Sequence, residues 1–160
     1  MGTGIHGGFG ATRGSAAGDA VYQSDPKSFF NYIRKRSDID RNGVFDVVAH
    51  GDAMIIQVEH NGKTIDVDAR IAAKLLSQRG DYNKGQPIRL LSCNTGSSNS
   101  GFAQNLANKL NVVVEAPTKL LWANPDGSYY VASRSSRNPN YPNLNDKGTF
   151  QKFYPGGKKK

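Results

Sequence analysis

Cysteine is almost absent from this chain of 160 residues, because Cys93 is its only cysteine. One thiol cannot form an internal disulfide bond, and without a cysteine cluster the chain lacks the thiolates of a structural zinc site. Long apolar runs are missing as well, since no stretch approaches the roughly 18 apolar residues that a membrane-spanning helix needs. The composition therefore excludes a disulfide scaffold and a membrane span. With only three dispersed histidines, we also expect no metal site and no cofactor.

Hydrophobic residues are scarce too, at 37% of the chain, while glycine occurs 18 times. This balance predicts a compact core surrounded by long polar loops. The length suits one domain with a core of its own. We predict a flexible glycine-rich lead over residues 1–18, one α/β domain over residues 19–155 and a basic tail over residues 156–160.

The net charge of +8 favours an acidic partner, such as a nucleic acid, an anionic membrane surface or an acidic binding protein. A basic nuclease or nucleic-acid-binding domain is therefore one function to weigh. Its candidate phosphate contacts are Arg34, Lys35, Arg36, Arg134 and Arg137, and its candidate stacking faces are Trp122, Tyr129 and Tyr130. The basic run at 34–36 also suits the solvated end of a helix whose first residue is Pro26.

Two apolar runs, the β-branched VFDVVA and the run PIRLLS, predict buried strands that end just before His50 and Cys93. Amphipathic segments follow each of them, and this alternation of strands and helices predicts a parallel sheet with crossover connections. The other predicted elements are strand 20–23, a hairpin of 54–58 with 63–67, helices near 67–80 and 102–110, strand 112–116, a hairpin of 120–122 with 129–131, a loop over 133–148, and an anchoring role for Phe150, Phe153 and Tyr154.

The carboxyl ends of neighbouring parallel strands meet at one edge of a sheet, so we expect His50 and Cys93 to lie about one strand spacing apart, ~5 Å. A thiolate is a strong nucleophile, and a nearby imidazolium lowers the thiol pKa and protonates a leaving amine. The backbone amides of Gly51 and Cys93 are candidates for an oxyanion hole. Three further polar residues are candidates for orienting the substrate or the histidine: Asp52, Ser92 and Asn94. Asp52 also suits a plain surface-loop carboxylate.

The segments VFDVVAHG and IRLLSCNTG resemble the histidine and cysteine motifs of caspase-like (clan CD) cysteine peptidases, in particular the bacterial CHAT-type and toxin self-processing branch. GFAQNLANKLNVVVEAPT resembles the helix and strand that follow the cysteine, so the likeness runs from about Val44 to Thr118. It implies an α/β fold made of a single three-layer domain with a mostly parallel central sheet. It further implies that His50 is the general acid/base, that Cys93 is the nucleophile, and that the substrate is a protein or peptide.

The glycine-rich start and the ending GTFQKFYPGG resemble the C-terminal toxin modules of secreted bacterial polymorphic toxins. That likeness implies a secreted effector that works in the cytosol of a target cell and is blocked by an immunity or inhibitor protein; without it, a cytoplasmic protein is expected. The predicted function is a cysteine hydrolase, most simply an endopeptidase, although a Cys–His pair also serves deamidases and acyltransferases. A non-catalytic caspase-like binding module is a further alternative, in which Cys93 is a small buried hydrophobe.

Overall fold

The computed structural model describes residues 32–33, 35–38, 43–60, 63–80, 82–137 and 141–157. Nine strands and two α-helices have both of their ends within these residues. They are β1 (Phe45–Val48), β2 (Ile56–His60), β3 (Lys63–Val67), α1 (Ala69–Ser77), β4 (Ile88–Leu91), α2 (Phe102–Leu110), β5 (Val114–Pro117), β6 (Leu120–Ala123), β7 (Tyr129–Arg134), β8 (Pro142–Lys147) and β9 (Phe150–Phe153). The predicted lead, the strand at 20–23 and residues 158–160 of the tail lie outside the described residues.

The largest sheet has four strands in the order β1-β4-β5-β9. Its first three strands are parallel, and β9 joins β5 in the antiparallel direction. The apolar runs that predicted β1 and β4 form two neighbouring strands, with Phe45 opposite Ile88 and Val48 opposite Leu91. β9 attaches the end of the chain to this sheet, and Phe153 is buried in the core as predicted.

The other strands form two smaller antiparallel sheets. β2 and β3 make the predicted hairpin, and β6, β7 and β8 make a three-stranded sheet in that order. β8 occupies part of the segment that we predicted to be a loop, so that prediction was wrong over Pro142–Lys147. Proline is tolerated as the first residue of an edge strand, where its missing N–H breaks no ladder. The polar sequence of this mostly exposed strand carries no apolar alternation that would reveal it.

Each helix buries one face and has a recognisable boundary. The side chain of Asp68 caps α1 by accepting a hydrogen bond from the Ile71 amide at 3.0 Å. α2 ends at Asn111, which adopts the left-handed conformation with φ 57°. Both helices have nine residues, and within the described ranges no helix has the length and apolar character needed to cross a membrane.

Side chains alternate between the two faces of the four-stranded sheet, and the two faces meet different layers. Phe45, Val47 and Leu90 face α1 and α2, in what we call the helix-side core. Val48 and Leu91 face the three-stranded sheet, in what we call the sheet-side core. The remaining fully buried members of the sheet-side core are Ile33, Leu121, Trp122, Ala123 and Ala132.

The predicted single three-layer, caspase-like domain with a mostly parallel central sheet is wrong. The chain is mixed α/β and rich in strands, which are divided among sheets of four, two and three strands. Among the described strands, parallel pairing is confined to β1, β4 and β5. The difference arises because, within the described residues, strands of the antiparallel sheet β6-β7-β8 pack against the second face of the parallel strands.

Candidate functional site

His50 and Cys93 lie at the same edge of the four-stranded sheet. Val48 is paired with Leu91 in the parallel register, and the amide of Ala49 donates to the carbonyl of Leu91 at 3.3 Å. Each candidate residue follows its paired residue by two positions. The two strands therefore deliver the histidine and the cysteine side by side along the backbone.

Gly51 brings the histidine segment into direct contact with the turn after β4. A Cβ atom at this position would lie 2.8 Å from the side chain of Thr95 and 3.1 Å from both the carbonyl oxygen of Cys93 and the side chain of Ser92. On its other side, the carbonyl of His50 accepts a hydrogen bond from the Gln57 amide at 2.9 Å. Only glycine fits between these neighbours, so the His50-Gly51 backbone is fixed against the cysteine turn.

The turn that carries Cys93 is itself held by hydrogen bonds. The hydroxyls of Ser92 and Thr95 lie 3.0 Å apart, and Ser92 is fully buried. Asn94 adopts a left-handed conformation with φ 63°, and its amide donates to the Lys119 carbonyl at 2.9 Å. Ser92 and Asn94 therefore shape the turn in this conformation.

A second close backbone contact lies further along the same loop. The amide of Gly96 donates to the carbonyl of Pro117 at 2.8 Å, and a Cβ atom at Gly96 would come within 2.6 Å of the Ala116 carbonyl oxygen. Gly101 is equally close to the loop after His50, because its Cβ would lie 2.5 Å from the Ala53 carbonyl oxygen. The loop is thus anchored both to β5 and to the histidine segment.

The thiol of Cys93 points into the sheet-side core. Its Sγ atom accepts a hydrogen bond from the Leu121 amide at 3.3 Å, and the residue is only 7% exposed. Burial raises the pKa of the Cys93 thiol to about 11, although the hydrogen bond from Leu121 and the charge of Arg134 act in the opposite direction. In this conformation the sulfur is a protonated thiol covered by β6.

His50 is partly buried, and its Nε2 atom is enclosed by the protein. Asp52, two residues later, is exposed and accepts hydrogen bonds from the amides of Met54 and Ile55 at 2.8 and 2.9 Å. These bonds close a tight turn at the carboxylate. Asp52 therefore stabilises its own loop, as the simpler interpretation of a surface-loop carboxylate predicts.

A buried ion cluster on the same two strands, four residues before His50 and Cys93, was missed by the sequence analysis. Asp46 of β1 lies opposite Arg89 of β4, and the guanidinium donates to the carboxylate at 2.6 and 2.9 Å. Arg36 approaches the same carboxylate at 2.7 Å; Asp46 is fully buried and Arg36 is 3% exposed. A signal was present, because each of the two apolar strands carries one charge and the two charges are opposite.

Asp38 and Tyr129 extend the ion cluster. Asp38 accepts hydrogen bonds from Arg89, at 3.0 Å, and from the Tyr129 hydroxyl. Burial alone would raise the pKa of Asp38, but these hydrogen bonds and the charges of Arg89 and Arg36 outweigh it and hold the pKa below its usual value. Burial and the hydrogen bond to Asp38 raise the pKa of Tyr129. The cluster links residues 36–38 to both β4 and the three-stranded sheet.

Several residues weighed as nucleic-acid contacts have structural roles instead. Arg36, predicted as part of a solvated helix end or a phosphate contact, is buried against Asp46. Trp122 is fully buried, and its indole N–H donates to the Ala132 carbonyl at 2.9 Å. The Tyr129 hydroxyl belongs to the ion cluster. Neither Arg36 nor Trp122 is available to a nucleic acid, whereas Arg137 is exposed.

A known protein family matches most of the chain. The family described as Domain of unknown function (DUF8616) matches residues 19–131. The chain belongs to this family. The DUF8616 segment contains β1 to β6 and the first half of β7, and it includes both His50 and Cys93. No curated protein and no solved structure matches the chain.

Across the described ranges, no group of three or more His, Cys, Asp or Glu side chains is arranged to hold a metal ion.

Proposed function

We propose that this DUF8616 protein is a cysteine hydrolase that cleaves a peptide or amide bond, with Cys93 as the nucleophile and His50 as the general acid/base. The observation that carries the proposal is the in-register parallel pairing of β1 with β4, after which both residues follow at equal distance along the chain. The resemblance of VFDVVAHG and IRLLSCNTG to histidine and cysteine motifs of peptidases supports the same assignment. An effector that acts in a target-cell cytosol and has a protein inhibitor is the setting that the toxin resemblance adds to this proposal.

The chemistry would proceed in two stages. His50 takes the thiol proton, and the thiolate forms a bond to the carbonyl carbon of the substrate while the amine leaves with the proton that the imidazolium returns. Water activated by His50 then adds to the resulting thioester, which breaks the C–S bond, releases the carboxylic acid and restores the thiol. The amides of Gly51 and Cys93 are the candidate donors to the oxyanion formed in each stage.

The described conformation represents a resting state in this proposal. The thiol must leave its hydrogen bond with Leu121 and turn from the sheet-side core towards His50 before it can react. Such a rotation removes the sulfur acceptor from the Leu121 amide. The cost of losing this buried hydrogen bond would keep the hydrolase inactive until a substrate or activator binds.

A non-catalytic binding module is the second candidate function, and a specific observation favours it. Cys93 is 7% exposed, and its thiol has a pKa of about 11. Those properties are typical of a cysteine that serves as a small hydrophobic residue. Under this alternative, the glycine contacts of the site would shape a surface loop and no bond would be cleaved.

The deciding experiment compares the wild-type chain with Cys93→Ala and His50→Ala in a cell lysate and counts newly formed protein N-termini. We expect Cys93→Ala to abolish cleavage and His50→Ala to reduce it by roughly 10²–10⁴-fold, the usual contribution of a general acid/base. His60→Ala, at the end of β2, is the matched control and should cleave normally. Circular dichroism checks that each variant folds.

Two results would reject the hydrolase. The first is cleavage that survives unchanged in folded Cys93→Ala and His50→Ala. The second is a biological effect of the wild type without any new N-terminus or deamidated side chain, retained in both variants, which would favour the binding module.

A further inference from the structure

Two grooves lie along the packed helices α1 and α2 and share Lys109. The larger groove, of about 540 Å³, runs beside the start of α1 and is bordered by Met54, Arg70 and Lys109. The smaller groove, of about 270 Å³, lies near the end of α1 and is bordered by Lys84 and Lys109. Lys109 borders both grooves, and we call the two grooves together the interhelical track.

The interhelical track is positively charged. Its three cations, Arg70, Lys84 and Lys109, are exposed, and no described residue forms an ion pair with any of them. Among the described residues, the only acidic one that lines it is Asp68, and this carboxylate already accepts a hydrogen bond from the Ile71 amide as the cap of α1. The interhelical track is therefore complementary in charge to an anionic partner.

The aromatic content of the track argues against a single-stranded nucleic acid. Such ligands bind through bases stacked on exposed aromatic rings. The one aromatic residue in the lining is Tyr82, which is 8% exposed. Its ring packs edge-on against Phe45 with the centroids 5.2 Å apart, and its hydroxyl donates to the Gln86 carbonyl. No ring in the described lining offers a face to a base.

Met54 adds an apolar contact at one end of the track. Its side chain is 52% exposed, although the Asp52 turn holds its backbone rigidly. Exposed methionine is a soft, adaptable contact for an apolar side chain of a partner. We propose that the interhelical track is a docking surface for an acidic polypeptide segment that places an apolar residue against Met54. This inference is independent of the proposed hydrolase.

The test measures fluorescence anisotropy of a labelled peptide of alternating glutamate and leucine, mixed with the full chain carrying Cys93→Ala. This background separates the result from any hydrolysis, so binding can succeed where the hydrolase fails and the reverse. A peptide with glutamine in place of glutamate and a single-stranded oligothymidylate serve as the other probes. We expect the acidic peptide to bind, the glutamine peptide to bind at least about tenfold more weakly, and added salt to weaken binding.

The matched variants are Arg70→Glu, inside the track, and Lys74→Glu, one turn later on α1 and outside both grooves. Arg70→Glu should weaken binding by roughly tenfold, while Lys74→Glu should change it by less than about twofold. Met54→Ser should weaken binding by a few-fold. Equal losses for Arg70→Glu and Lys74→Glu, full affinity of Met54→Ser, tighter binding of oligothymidylate or absence of peptide binding would each overturn the proposal.

Discussion

The two faces of the four-stranded sheet differ in the side chains that they bury. In the described residues, the helix side of the sheet is covered by a hydrophobic core, whereas the opposite face carries the ion pair Asp46–Arg89 and the thiol of Cys93. An apolar face tolerates exchanges that conserve volume, because its stabilisation follows buried area. A face with buried charges depends on specific partners, because an unpaired buried charge is strongly destabilising. The sheet side is therefore where single substitutions should have the sharpest effects.

The largest effect is expected for Asp46→Ala. This change leaves the guanidinium groups of Arg36 and Arg89 buried without the carboxylate that both contact, and we expect a loss of about 3–5 kcal/mol in the free energy of unfolding. Urea denaturation measures it. Asp66→Ala, at an exposed position of β3, is the control and should stay within about 0.5 kcal/mol of the wild type. A loss below about 1 kcal/mol for Asp46→Ala would remove the contrast between the two faces.

A smaller effect concerns the reactivity of Cys93. Its pKa of about 11, against an ordinary value of 9.0, predicts that the folded chain reacts with iodoacetamide roughly 100-fold more slowly at neutral pH than in urea, since each pKa unit changes the thiolate fraction tenfold. Because the pKa of Cys93 is higher in the folded than in the unfolded state, burial of the neutral thiol stabilises the fold, and this stabilisation is complete below the ordinary thiol pKa. It is lost as the pH rises through the folded pKa, so wild type and Cys93→Ala should converge there.

Mass spectrometry of the alkylated chain measures the thiol rate. An unstructured peptide with one cysteine is the reference. Equal rates for the folded and the urea-unfolded chain would mean that β6 does not cover the sulfur.

The smallest effect is expected for Asp38→Asn, at the rim of the ion cluster. Loss of a charged acceptor for Arg89 should cost about 1–2 kcal/mol near neutral pH. Because the folded pKa of Asp38 is lowered, its contribution is full above the ordinary carboxyl pKa and disappears as the pH falls through the folded value. Denaturation curves at several pH values should show wild type and variant converging in acid; a gap that persists at the lowest pH would contradict this account.

The sequence predicted the elements whose pattern is local. β1, β4 and the β2–β3 hairpin lie where apolar runs and the turn residues predicted them, and α2 coincides with its predicted segment, 102–110. β8 could not be found in this way, because a polar edge strand is stabilised by its partner and not by its own periodicity.

The candidate site was predictable in its backbone and not in its side chains. Residues that follow two neighbouring parallel strands must come together, which brings His50 and Cys93 to one edge. Whether the thiol faces that edge or the core depends on β6, which lies far along the chain at Leu121. The Asp46–Arg89 pair needed the register of β1 on β4, although opposite charges in two apolar strands were a visible hint.

The three glycines at the site, Gly51, Gly96 and Gly101, set its dimensions. At each of them a Cβ atom would collide with the neighbouring segment, so the chain segments approach as closely as bare polypeptide allows. The absence of a Cβ atom at these glycines therefore sets the distance between the loops that carry His50 and Cys93. Side chains around the edge can be exchanged, and its chemistry altered, while this spacing persists as long as the three glycines remain.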